Sequence, residues 1–135
     1  MSRLMNRGHV WLYRRSGGKL LGRMGGQRVV LLTTKGRRTG ESRTTPVQCS
    51  GVGDAWIIVA SNRGAPAPPA WYLNLTAEPE VTVECGRETL RLSAREVTGA
   101  ERERLWAELM AANRSLEPTQ RRARRLLSLI VLERA

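Results

Sequence analysis

Three β-type runs follow one another with only short turns between them, and that spacing restricts the fold more than any other feature. Arg28 to Thr34 (RVVLLTT), Ser42 to Ser50 (SRTTPVQCS) and Ala55 to Ser61 (AWIIVAS) are rich in Val, Ile, Thr and Leu. They are joined by the Gly-bearing segments 35–40 and 51–54. A parallel crossover needs about a dozen residues or more, so runs this close pair antiparallel. Two further runs show the strand period of two. Glu80 to Cys85 puts Val81, Val83 and Cys85 on one face, and Glu88 to Val97 alternates Leu90, Leu92 and Ala94 against Arg91, Ser93 and Arg95. Leu126 to Leu132 closes the chain as an apolar run. About six strands connected this way predict an α+β class, with an antiparallel sheet or small barrel in place of βαβ units. Pro46 removes one ladder donor and predicts an edge or bulge at that point.

Helical patterning is confined to the flanks and one insertion. Leu4 to Met24 carries Leu4, Met5, Val10, Trp11, Leu12, Leu20, Leu21 and Met24 among basic residues, a basic amphipathic helix broken at Gly17 and Gly18. It reads either as a surface helix packing Trp11 and Leu12 on the core or as a helix lying on a membrane surface. Pro68 and Pro69 set up a short helix containing Trp71, Tyr72, Leu73 and Leu75. Thr98 and Glu101 have capping-box spacing ahead of Leu105, Trp106, Leu109 and Met110. Pro118 opens a short segment with Arg121, Arg122, Arg124 and Arg125. With 135 residues, the expectation is a basic helix over 1–26 and one barrel domain over 27–135, with no separate substrate domain.

Charge narrows the partner. Lys and Arg number 23 against 12 Asp and Glu, a formal charge of +11. Residues 1–40 hold ten bases and no acid, Glu41 being the first. This polarity points to nucleic acid, a membrane surface or a phosphate-bearing ligand. The chain contains no Phe, and its 4% aromatic content gives few stacking platforms for single strands. Cys49 and Cys85 form no CxxC and accompany a single His, so buried reduced thiols are expected, with neither a metal site nor a disulfide framework. The N-terminus lacks the continuous apolar region of a signal peptide, and no run approaches a membrane span of about 18 residues. The expected location is cytoplasmic, or peripheral at the inner face of the cell membrane.

No nucleophile elbow, HExxH or Walker motif occurs, and His9 has no neighbouring carboxylate. The segment Lys35-Gly36-Arg37-Arg38-Thr39-Gly40 is the nearest thing to a phosphate loop. Its glycines allow close backbone approach, its paired guanidiniums suit phosphate or carboxylate, and Arg43 follows three residues on. On pattern alone it reads equally as a solvated turn.

The motifs LLTTKGRRTGESRTTPV (Leu31 to Val47), VASNRG (Val59 to Gly64) and AWYLNLTAEPEVTV (Ala70 to Val83), with the lead-in NRGHVWLYRRSGGKLLGRMGG (Asn6 to Gly26), resemble the deazaflavin-dependent nitroreductase family of actinobacteria. The resemblance implies a split β-barrel that binds coenzyme F420, an 8-hydroxy-5-deazaflavin with a phosphodiester and an oligoglutamate tail. It implies that Arg37, Arg38, Thr39 and Arg43 hold the anionic tail. By the same resemblance Thr44, Thr45, Pro46, Val47 and Gln48, Val59, Ala60, Ser61 and Asn62, and Ala70, Trp71, Tyr72, Leu73 and Asn74 form the slot for the ring. Ser61 matches the serine near the reacting ring and is the expected catalytic residue. Nitroimidazole-reducing members carry tyrosines near the substrate, whereas here the strand position is Gln48 and Asn113 to Gln120 has none. The implied reaction is hydride transfer to a quinone, enone or nitro compound, with a homodimer as a further expectation. The alternatives are a same-fold carrier without turnover and a basic nucleic-acid-binding module.

Overall fold

The computed structural model describes residues 3–18, 23–24, 27–52, 55–114, 116–123 and 125–134. Helix α1 (Arg3–Ser16) precedes the strands β1 (Arg23–Met24), β2 (Gln27–Lys35), β3 (Ser42–Val52) and β4 (Ala55–Val59). A 3-10 turn (Asn62–Gly64) and helix α2 (Ala70–Ala77) lead to β5 (Glu80–Cys85) and β6 (Glu88–Glu96). Helices α3 (Gly99–Ala112) and α4 (Leu116–Ala123) then precede β7 (Leu129–Glu133). All pairings are antiparallel, in the order β1-β2-β3-β4-β7-β6-β5, and β5 returns to pair with β2 through Leu31–Glu84, Leu32–Val83 and Thr33–Thr82. That last pairing closes a six-stranded barrel and leaves β1 as a two-residue appendage.

The unbroken apolar runs are the strands covered on both faces. In β2, Val30 and Leu32 point into the barrel, while Leu31 packs outside against Val10 and Tyr13 of α1. In β4 and β7, Ile58, Ile130 and Leu132 fill the interior, and Ile57, Leu129 and Val131 lie under Leu105 and Leu109 of α3 and Leu116 of α4. Each such fully buried side chain contributes about 1.5–3 kcal/mol by leaving water. β5 starts at exposed Glu80 and then alternates buried and half-buried residues from Val81 to Cys85. Pro46 sits opposite Leu31 in β3, but β3 pairs with β4 only over residues 50–52, so the strand has one neighbour where the proline's missing N–H falls.

Three expectations need correction. α1 does not pack Trp11 and Leu12 on the core: Trp11 is 60% exposed and Leu12 38%, while His9, Val10 and Tyr13 are buried. The rotation follows from Tyr13, whose Oη lies 3.1 Å from Val29 O and 3.3 Å from Glu84 O and accepts the Gly86 N–H at 2.9 Å. Trp11 and Leu12 have no comparable anchorage. Helix α3 begins where expected, but Thr98 makes no side-chain cap. Glu101 is instead bound by both Nη atoms of Arg95, at 2.8 and 3.2 Å, which holds its carboxyl below the usual range. Helix α4 starts at Leu116, two residues before Pro118, and the last strand starts at Leu129. The chain does turn at Gly17 and Gly18, which adopt φ of 64° and 84°. The expected continuation of the helix through Leu20 and Leu21, the turn at Gly53 and Asp54, and Arg124 lie outside the described residues.

Candidate functional site

At Lys35 β2 leaves the barrel, and the chain must reverse within a few residues to enter β3. Gly36 donates to Glu41 O at 2.8 Å, Gly40 donates to Gly36 O at 2.8 Å with φ 75°, and Thr39 Oγ1 accepts the Glu41 N–H at 3.2 Å. These bonds shape the turn from within and leave its guanidiniums exposed. Asn74 of α2 ties the turn to the barrel. It is buried, and its Oδ1 accepts both the Arg37 N–H at 3.2 Å and Arg37 Nη1 at 3.0 Å, while its Nδ2 donates to Thr34 Oγ1 at 3.2 Å. Arg38 makes no ion pair or hydrogen bond among the described residues, and Arg43 faces Glu41 at 3.5 Å with both side chains exposed.

Beside this turn lies a cleft of about 1230 Å³. Arg37, Arg38, Thr39 and Arg43 line it, together with Thr44 and Thr45 of β3 and Ala70, Trp71 and Asn74 of α2. A further wall comes from α1, through Arg7, Val10, Trp11, Arg14 and Arg15. The α1 contribution was missed by sequence reasoning, because which face of a basic helix docks depends on Tyr13 and on Glu84, a residue 70 positions away from Arg14. Arg14 binds Glu84 through two bonds of 2.8 and 2.7 Å, which pins the helix beside the cleft and raises the Arg14 pKa. Arg15 stacks over Trp11 at 5.7 Å.

The other expected site residues lie elsewhere. Val47 points into the barrel core, Gln48 is exposed, and Pro46 is half-buried between them and the cleft residues. Tyr72 turns away from the cleft and donates to Glu96 Oε1 at 2.5 Å, a bond that raises its pKa. Leu73 is partly exposed. Val59, Ala60, Ser61 and Asn62 form the end of β4 and the turn after it, outside the cleft wall. Ser61 is half-buried, and Asn62 has φ 45°, a left-handed conformation that Asn tolerates better than most residues. Burial pushes the Cys49 thiol up to about 11, so it is no nucleophile near neutral pH. No group of potential metal ligands occurs among the described residues.

The cleft at the side of the closed antiparallel barrel is cationic and has Trp11 and Trp71 in its wall. Comparison with known proteins makes the class specific. Residues 4–134 match the family model described as F420H(2)-dependent quinone reductase. An F420H(2)-dependent quinone reductase of Mycobacterium tuberculosis is 35% identical over 131 residues, covering 93% of this chain and 87% of that protein. Among solved structures, an F420-H2 dependent reductase, FDR-A, superposes with a TM-score of 0.70 at 34% identity, covering 78% of this chain and 93% of that one. A structure described as a domain-swapped dimer gives 0.71 at 30% identity, covering 93% and 99%. The chain belongs to the F420H(2)-dependent quinone reductase family. Family membership favours an oxidoreductase over a carrier or a nucleic-acid module.

Proposed function

We propose that this protein transfers a hydride from reduced coenzyme F420 to a quinone-type acceptor, with cofactor and acceptor sharing the one cleft. The observation that carries the reading is the β2–β3 turn, preorganised by Asn74 and carrying Arg38 and Arg43, which have no strong partner among the described residues, into the same cleft wall as Trp71. The donor set fits the group: guanidiniums suit phosphodiester and glutamate oxygens, and the Thr44, Thr45, Ala70 and Trp71 wall suits a flat ring. The reduced deazaflavin supplies the hydride when bound.

The chain's own residues bind and orient. Arg37, Arg38, Thr39 and Arg43 hold the anionic tail, and Trp11 and Trp71 exclude water from opposite elements of the wall. Ser61, just after β4 and outside the cleft wall, is assigned a hydrogen bond to the part of the cofactor or acceptor that extends past Ala70 and Trp71, on the strength of the resemblance and of its half-buried place. Steady-state oxidation of the reduced cofactor by menadione tests the proposal. Saturable quinone-dependent turnover is expected; tight cofactor binding with no turnover on any quinone contradicts it.

A peripheral membrane contact is a second proposal, favoured by exposed Trp11 and Leu12 on a helix whose described residues include no acid. No described helix is long and apolar enough to cross a membrane. Co-sedimentation with anionic vesicles should be lost when residues 4–24 are deleted. Self-association, suggested by the domain-swapped neighbour, is read from sedimentation equilibrium.

A further inference from the structure

Arg125, two residues beyond α4, is wired into the segment that joins β4 to α2. Its Nη2 donates to Ala60 O at 3.1 Å, Ser61 O at 3.1 Å and Ala67 O at 3.3 Å, and its Nε donates to Ala65 O at 3.1 Å. Its own carbonyl accepts Gln120 Nε2, and Gln120 Oε1 accepts the Leu127 N–H at 3.0 Å, so the arginine's backbone is fixed as well. Ala60 is fully buried, and its carbonyl requires an internal donor. On the same segment Gly64 is buried at φ 82°, and a Cβ there would lie 3.0 to 3.2 Å from the Arg122 side chain. Asn62, also in the segment, holds φ 45°, a conformation that persists only where its surroundings impose it.

The segment begins at Ser61 and runs through Pro68 and Pro69 into Ala70 and Trp71 of the cleft wall. Proline restricts φ, so a displacement at one end is transmitted to the other. We infer that Arg125 is a positioning residue for the cleft: it is absent from the cleft wall, and it acts by fixing the carbonyls of Ala60, Ser61, Ala65 and Ala67 so that Trp71 keeps its place in the wall and Ser61 its place next to it. A lysine preserves the charge but offers one nitrogen where the guanidinium reaches carbonyls from two.

The inference rests on reading the cleft as the cofactor site, and its test separates the two. Arg125→Lys and Gly64→Ala are compared with the wild type by amide exchange, by coenzyme F420 fluorescence titration at several salt concentrations, and by turnover with menadione. The reporting amides are Gly64, bonded to Ser61 O, and Ala65, bonded to Asn62 O. Both variants should exchange there about tenfold faster or more. Both should lose about ten- to a hundredfold in kcat, the cost of misplaced groups. The salt dependence of cofactor affinity should stay as in the wild type, because no ion contact to the ligand has been removed. Wild-type exchange and kcat in Arg125→Lys would overturn the inference, as would a changed salt dependence at unchanged kcat. If the wild type neither binds nor oxidises the cofactor, the functional reading fails, and unchanged exchange in both variants would still refute the clamp.

Discussion

The β2–β3 turn and the region of α4 carry the same residue type at similar density: Arg37, Arg38 and Arg43 in one, Arg121, Arg122 and Arg125 in the other. Their guanidiniums are used differently. Arg125 donates to four carbonyls of its own chain, whereas Arg38 has no ion pair or hydrogen bond among the described residues and Arg43 has a single exposed pairing with Glu41. A guanidinium saturated by internal carbonyls is a staple. One held at a cleft by its backbone, with donors not used by the described residues, is available to a ligand. The net charge of +11 therefore mixes arginines spent on the fold with arginines available to a ligand, and only the groups opposite each side chain tell them apart.

The comparison is broken most readily at the turn. Replacing Arg38 and Arg43 together by Ala should weaken deazaflavin binding about a hundredfold or more, at about 1.5–3 kcal/mol per charge-assisted contact. Thermal stability should hardly change, because both side chains are exposed. Next in size is Tyr13→Phe, which strands the Gly86 N–H and frees the inner face of α1. A loss of about 1–3 kcal/mol in denaturant unfolding is expected, and under about 0.5 kcal/mol would mean α1 is not latched there. Asn74→Ala releases Arg37 from the barrel and should weaken cofactor binding about tenfold, seen in the same fluorescence titration. The smallest effect belongs to Arg14→Gln. Its pairing with Glu84 is half-exposed, so a stability change of about 0.2–1 kcal/mol that shrinks with salt is expected by thermal melts.

The strands were legible because their signals are local. Gly-bearing turns, a period of two in β5 and β6, and unbroken apolar runs in β2, β4 and β7 are all written in short windows. The β2–β5 pairing that closes the barrel joins residues about 50 apart and has no such window. Of the site, the Arg37–Arg43 turn was readable from its glycines and paired arginines. The α1 wall was not: Trp11 and Val10 are adjacent apolar residues, and only the partners of the Tyr13 hydroxyl decide which one is buried. The Thr98 cap had the right spacing but lost Glu101 to Arg95, which sits at the end of the preceding strand. Nothing in the run of arginines near 121–125 distinguishes Arg125, whose role depends on carbonyls 58 to 65 residues away.

The central claim is that the β2–β3 turn holds the anionic tail of a deazaflavin. Its most direct test is a fluorescence titration of coenzyme F420 with the wild type and with the Arg38→Ala, Arg43→Ala double variant across a range of salt. The account predicts saturable wild-type binding that weakens with salt, and a double variant about a hundredfold weaker with a flatter salt dependence. Equal affinity and equal salt dependence in the two proteins would contradict it.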